Sequence, residues 1–276
     1  MFRTILVHVD NERGAAERVS CAIDLAKRFD ATLLGLTAGL PQLPMELYTD
    51  AIGSVAIGPD YSEFDRKHVE AEFGKTATAF KAWTADSGLE TDWRAVFESP
   101  SLAIIRAATA ADLIVLGAGD HSLIGNYSRP SAGDVVLRTG RPILVVPEGH
   151  NGIDVRNVVV AWKETPEAQR AIADAVPFMK EAKSVTLVQI HEAGARNGSM
   201  VDPEAFLVRN GVAAKTAILP KEAEAVDEQI VAFAKKAGAD LIVAGAYGHT
   251  RLREWVFGGV TRSLLLKSPI PILFSH

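Results

Sequence analysis

Ala111-Asp112-Leu113-Ile114-Val115-Leu116-Gly117-Ala118 recurs as Ala239-Asp240-Leu241-Ile242-Val243-Ala244-Gly245-Ala246. Each copy is a short uninterrupted apolar run closed by glycine, which predicts a strand covered on both faces in a parallel sheet. Further landmarks repeat around it in the same order. Arg3 to Val9 (RTILVHV) matches Arg156 to Trp162 (RNVVVAW). Each is followed by a polar pair, Asp10-Asn11 or Lys163-Glu164, and then by a helical pattern. Arg141 to Pro147 (RPILVVP) matches Ile270 to Ser275 (IPILFS). An ordered set of matches of this kind is an internal repeat, and the chain reads twice.

Within each half the elements alternate strand and helix, ending on a fifth strand. In the second half strands are expected near 156–162, 184–190, 214–219, 240–245 and 270–275. Helices are expected near 166–181, 203–210, 222–237 and 260–267. Val226, Ile230, Phe233 and Ala234 recur three or four apart and give the third of these helices one buried stripe. The fold class is therefore α/β: two tandem doubly wound, Rossmann-like domains, each a five-stranded parallel sheet flanked by helices. Domain 1 covers residues 1–148 and domain 2 residues 153–276, joined by the polar, glycine-containing Glu148-Gly149-His150-Asn151-Gly152. On such sheets ligands bind outside the strands' carboxyl ends, where the strand order reverses. The final strands, 142–147 and 270–275, are short apolar edges, which predicts that they pair with each other in an intramolecular pseudo-dimer. A homodimer is a further expectation.

Of the 276 residues 48% are hydrophobic and 23% charged, with a net charge of -5. That balance supplies a large core and argues against a general nucleic-acid or anionic-membrane binder. The single cysteine, Cys21, cannot staple its own chain and reads as a small buried hydrophobe. The first residues lack a signal peptide's pattern and no run is long enough to span a membrane, so a cytoplasmic protein is expected. The halves differ most at Leu40 to Tyr61, rich in proline, glycine and apolar residues. This stretch reads as a flap packed on its own domain or a partner, or as a lid over an apolar ligand, and is expected to be less ordered than the sheet.

The segment with the most chemistry is Gly245-Ala246-Tyr247-Gly248-His249-Thr250-Arg251, running on to Gly258-Gly259-Val260-Thr261. Glycine lets backbone N–H groups approach a ligand, and a helix entered through Gly258-Gly259 presents unsatisfied donors at its positive end, suited to phosphate. The same glycines could instead serve tight turns and a close helix–strand contact. No Walker loop is present, and His191-Glu192 and Asp120-His121 make poor chelates, so no metal site is expected.

Gly245, Gly248 and Gly258 fall in the pattern Gly-x2-Gly-x9-Gly, which resembles the nucleotide loop of the ATP-binding universal stress proteins. Val158 to Ala171 and the ending Pro271 to His276 are similar to tandem members of that family. The resemblance implies the family's adenine nucleotide alpha hydrolase-like fold and pairing of the domains through their last strands. It also implies that Gly245, Gly248, Gly258, Gly259, Val260 and Thr261 line the ribose and phosphates of ATP, with Ala161, Lys163 and Ile190 bordering the base. Any magnesium would arrive with the nucleotide. Two departures stand out. Gly259 replaces the usual Ser or Thr, and Lys163 stands where ATP binders carry aspartate. The first half keeps that aspartate as Asp10, but its loop is reduced to Gly117-Ala118-Gly119, with Arg129-Pro130-Ser131 at the later glycine position, so nucleotide is expected only in the second half. The expected function is a stress-responsive nucleotide-binding or sensing protein without efficient catalysis. The alternatives are a non-binding interaction scaffold and a slow ATPase.

Overall fold

The computed structural model describes residues 1–41, 59–118, 129–191, 199–247 and 259–276. The first half contains β1 (Thr4–His8), α1 (Ala15–Phe29), β2 (Thr32–Gly39), α2 (Pro59–Thr84) and β3 (Thr91–Phe97), then α3 (Pro100–Ala107), β4 (Leu113–Gly117), α4 (Ala132–Thr139) and β5 (Ile143–Val146). The second half contains β6 (Asn157–Ala161), α5 (Pro166–Glu181), β7 (Ser184–His191), α6 (Val201–Arg209) and β8 (Ala214–Pro220), then α7 (Val226–Lys236), β9 (Leu241–Gly245), α8 (Gly259–Lys267) and β10 (Ile272–Ser275).

All ten strands form one sheet in the order β3-β2-β1-β4-β5-β10-β9-β6-β7-β8. Pairing is parallel within each half and antiparallel where β10 meets β5, with Ile272 opposite Val145 and Phe274 opposite Ile143. In each half the order reverses between the first and fourth strands: β1 lies beside β4, and β6 beside β9.

The repeated aspartate has a repeated task. Asp112 Oδ2 accepts from the backbone N–H groups of Arg3 (2.7 Å) and Thr4 (3.1 Å). Asp240 Oδ2 accepts from those of Arg156 and Asn157, both at 2.9 Å. Each carboxylate thus satisfies the donors at the start of the neighbouring first strand and fixes its register. Side chains then alternate between two cores. Ile5, Val7, Val158 and Val160 face the side that carries α1 and α5, while Leu6 and Val159 face the side that carries α3, α4, α7 and α8. Both cores run through both halves. Phe2 and Phe29 of the first half meet Phe178 of the second with ring centroids 5.3 and 5.2 Å apart.

Three expectations are adjusted. Residues 42–58 of the proline-rich stretch lie outside the described residues, but Pro59 to Tyr61 belong to α2 rather than to a loop. Helix α7 begins at Val226, not 222, because Lys221 to Ala225 are exposed and have no apolar face to bury. Cys21 is fully buried, yet its thiol also faces the linker, 3.2 Å from the Gly152 carbonyl and 3.5 Å from that of His150. Burial pushes this thiol up to about 12. No helix among the described residues is long and apolar enough to cross a membrane.

Candidate functional site

In each half the strand order reverses at a switch point, and the two switch points are furnished differently. In the first half β1 ends on His8, which is 1% exposed, and β4 ends on Gly117. Arg18 reaches between them from α1. Its Nε donates to the His8 carbonyl at 2.7 Å, and its Nη2 lies 3.0 Å from Asp10 Oδ2. The same Asp10 oxygen is 3.4 Å from His8 Nδ1. A Cβ on Gly117 would stand 2.6 Å from Arg18 Nη1, so glycine at the end of β4 is what lets the guanidinium lie there. The cavity walled by these groups and by Arg13 and Arg129 is about 30 Å³, water-sized, and a second of about 510 Å³ opens beside it along Asp10, Asn11, Arg13, Gly14 and Trp83. Arg129, at the position where the second half has its later glycine, pairs with Glu12.

Electrostatics follow from this burial. Burial lowers His8 to about 4; the Arg18 charge adds to the drop and Asp10 opposes it. Burial raises Asp10, but Arg18 and His8 outweigh it and hold the carboxyl below its ordinary value. At neutral pH the cluster is therefore a neutral imidazole beside an Arg–Asp ion pair.

In the second half Ala161 ends β6, paired with Val188 on one side and Ala244 on the other. Ile190 is half-buried near the end of β7, and Lys163 is exposed just beyond β6. Gly245 ends β9, and a Cβ there would meet the Ala168 backbone nitrogen at 2.5 Å. Helix α5 is started by Thr165, whose Oγ1 accepts from the Ala168 N–H, and by Pro166 in the first turn. That first turn sits directly on Gly245. Of the two roles open for this glycine, the close helix–strand contact is the one on display.

Helix α8 opens with Gly259 and Val260, both exposed, and a Cβ on Gly259 would have no atom among its described neighbours within 4 Å. Thr261 is buried, and its Oγ1 accepts from the Tyr247 N–H at 3.2 Å. This bond braces the end of β9 against the first turn of α8 and leaves the hydroxyl proton free to donate. Ala161, Lys163, Ile190, Gly245, Gly259, Val260 and Thr261 thus gather at the carboxyl end of one sheet. Gly248 and Gly258 lie outside the described residues.

Arg18, His8 and Tyr247 escaped the reading of the sequence. Two of them left a signal. Arg18 follows Ala15 by three and precedes Ala22 by four, so it falls on the apolar stripe of α1. His8 interrupts an apolar strand on which its neighbours are all buried.

Two domains with a joined sheet whose strand order reverses in each define a tandem Rossmann-like α/β protein. The chain belongs to the universal stress protein family, whose sequence model matches residues 1–147 and 154–276. It is similar in fold to a universal stress protein from Archaeoglobus fulgidus, with a TM-score of 0.70 and 17% identity over 99% of this chain and 95% of that one. It resembles PA1789 from Pseudomonas aeruginosa in the same way, with a TM-score of 0.59 and 13% identity over 99% and 92%. A curated relative, universal stress protein MJ0577 of Methanocaldococcus jannaschii, is 41% identical over 46 residues. That match spans 17% of this chain and 28% of the relative's length.

Proposed function

We propose that this chain is a stress-responsive protein whose second domain binds an adenine nucleotide, ATP, and senses it rather than turning it over efficiently. The observation that carries the reading is the open start of α8 beside the end of β9. Exposed N–H donors at a helix's positive end suit a phosphate, and Thr261 keeps a proton to donate. In the first half Arg18 lies between the ends of β1 and β4. The donor set therefore fits the phosphate end of such a ligand. It fits the base end less well, because Lys163 offers only donors to an adenine amino group that itself donates.

Binding is expected to be weak and nearly blind to the base. Loss of a hydrogen bond to a charged acceptor costs roughly 1.5–3 kcal/mol, about ten- to a hundredfold in affinity. Calorimetry with ATP and GTP tests this, alongside Lys163→Asp, which is expected to restore preference for ATP. More than about tenfold discrimination by the unmodified protein would overturn the account of the base end.

An interaction scaffold is the second reading. Strand β8 is an outer edge of the sheet and carries Ile218 at 61% exposure; Val201 and Val208 are also exposed on α6. An edge of that kind is a place where a partner strand can add. A solution mass above that of one chain, with no heat on adding ATP, would favour it.

A further inference from the structure

Tyr247 belongs to the second domain by its backbone and touches the first by its ring. It follows the end of β9 by two residues, with φ at 58°, one of two non-glycine residues among those described with positive φ. A large side chain seldom adopts that left-handed conformation unless its surroundings hold it there. One restraint is the hydrogen bond from its N–H to Thr261 Oγ1. Another lies across the domain boundary. A Cβ on Gly133, in the first turn of α4, would stand 2.6 Å from the Tyr247 hydroxyl oxygen and 3.9 Å from Ser131 Oγ.

This contact explains a glycine that helix propensity disfavours. Gly133 is buried and its φ is not left-handed, so the backbone does not demand glycine; the tyrosine hydroxyl does. The first turn of α4 is in turn fixed to its own domain. Ser131 Oγ accepts from the Asp134 N–H at 3.3 Å, and the Ser131 N–H donates to Ser101 Oγ in the first turn of α3 at 2.9 Å. A continuous set of contacts therefore runs from Thr261 through Tyr247 to α4 and α3. The device is one-sided in the sequence. Gly119 stands at the position of Tyr247 in the other repeat and Arg262 at that of Gly133, so no ring is available for the reverse contact.

We propose that Tyr247 is a positioning residue that couples nucleotide occupancy at the start of α8 to helix α4 of the first domain. The proposal rests on the nucleotide reading above and adds its output. A phosphate that draws on the Thr261 hydroxyl loads the oxygen that holds the Tyr247 N–H. Because the residue is held in a left-handed conformation, a small change at its amide swings the ring against Gly133. A packed contact with no room for even one added carbon passes that movement on rather than absorbing it. The linkage is reciprocal: a change made at Gly133 must alter affinity at α8.

Hydrogen exchange on the full chain, with and without ATP, tests the coupling. Saturating ATP is expected to change exchange of the α4 amides in the unmodified protein, and the change is expected to weaken in Tyr247→Phe, which keeps the ring but loses the hydroxyl that meets Gly133. In Tyr247→Gly, which accepts the same backbone conformation, the α4 response is expected to vanish while ATP still binds. In Gly133→Ala the ATP dissociation constant is expected to shift by about fivefold or more, although the substitution lies in the other domain. ATP binding with α4 unchanged, or an α4 response that survives Tyr247→Gly, overturns the coupling and leaves the nucleotide reading intact. Absence of heat on titration, with no exchange change anywhere, overturns both.

Discussion

The switch point between β1 and β4 and the switch point between β6 and β9 occupy equivalent places in two copies of one fold, yet they are closed by different materials. In the first half a side chain closes it: the Arg18 guanidinium spans Asp10, the His8 carbonyl and the face of Gly117. In the second half the backbone of α5 lies against Gly245, and the space left for chemistry moves outward to the start of α8. A shared topology thus fixes where a crevice lies, while single residues decide whether a ligand or the protein itself occupies it. Asp10 illustrates the point. It is the residue that the family resemblance ties to nucleotide, and here it is committed to an internal ion pair.

The largest effect is expected from breaking that ion pair. Arg18→Ala leaves the Asp10 carboxylate in a mostly buried setting without its partner, and removal of one member of such a pair destabilises by about 3–5 kcal/mol. Chemical denaturation measures it. Arg18→Ala combined with Asp10→Ala should recover part of the loss, since no uncompensated charge then remains. A loss below about 1 kcal/mol for the single variant would place the pair with exposed salt bridges and break the contrast between the halves.

Next comes acid sensitivity, to which the first half should contribute through His8, with the partly buried His150 of the linker acting in the same direction. Its folded value, about 4, lies below its ordinary 6.5, so between those pH values the unfolded chain binds a proton that the folded one refuses. Stability is full above pH 6.5 and falls as the pH is lowered towards 4, by about 3 kcal/mol in all. His8→Ala, which copies the residue at the equivalent position 161, should flatten this slope whatever its baseline stability, leaving the part that His150 contributes. Asp10 contributes only below that window, because it is ionised throughout it. An unchanged slope in His8→Ala would mean that the imidazole is not buried in solution as it is here.

The two glycines should also respond unequally. Gly245→Ala drives a methyl into backbone atoms of α5 at 2.5 Å, and a helix start cannot retreat without losing its packing. Overpacking of this kind costs about 1–3 kcal/mol. Gly117→Ala meets the tip of a long side chain at 2.6 Å, which can swing aside. Thermal unfolding of the pair should therefore rank Gly245→Ala as the more damaging, and the reverse order would undo the distinction between a backbone lid and a side-chain plug.

Much of this architecture was legible because apolar periodicity and repetition act locally. The aspartate before β4 and β9 and the runs that become strands announce themselves within a few residues. What was hidden depends on contacts between distant positions. Gly133 makes sense only once Tyr247 is beside it, and Gly117 only once Arg18 is folded over it. The start of α7 was misplaced for a related reason: Lys221 to Ala225 have good helical propensity but no surface to bury, and burial decides. Within the site, Ala161, Ile190, Gly245 and Thr261 were implied only by the family resemblance, and the sequence could not separate Gly245 as a packing glycine from Gly259 as an open one.

That last separation yields the smallest and most specific test. If Gly245 is glycine for packing and Gly259 is glycine only by substitution for a hydroxyl residue, the two should tolerate change in opposite ways. A Cβ at Gly259 meets no described atom within 4 Å, its φ is not left-handed, and it opens a helix, where serine is acceptable. Gly259→Ser should therefore be close to neutral for folding and restore the hydroxyl usual in the family's loop. A hydroxyl donating to phosphate is worth about 0.5–1.5 kcal/mol, so ATP affinity should rise by about two- to tenfold. The gain should be the same for ATP and GTP, since the new group faces the phosphates and not the base. Calorimetry with both nucleotides on the single variant, and on Gly259→Ser combined with Lys163→Asp, separates the two ends of the site: the serine should add affinity without selectivity, and the aspartate selectivity on top of it. A serine variant that folds normally yet binds no better than the parent would move the phosphates away from the start of α8.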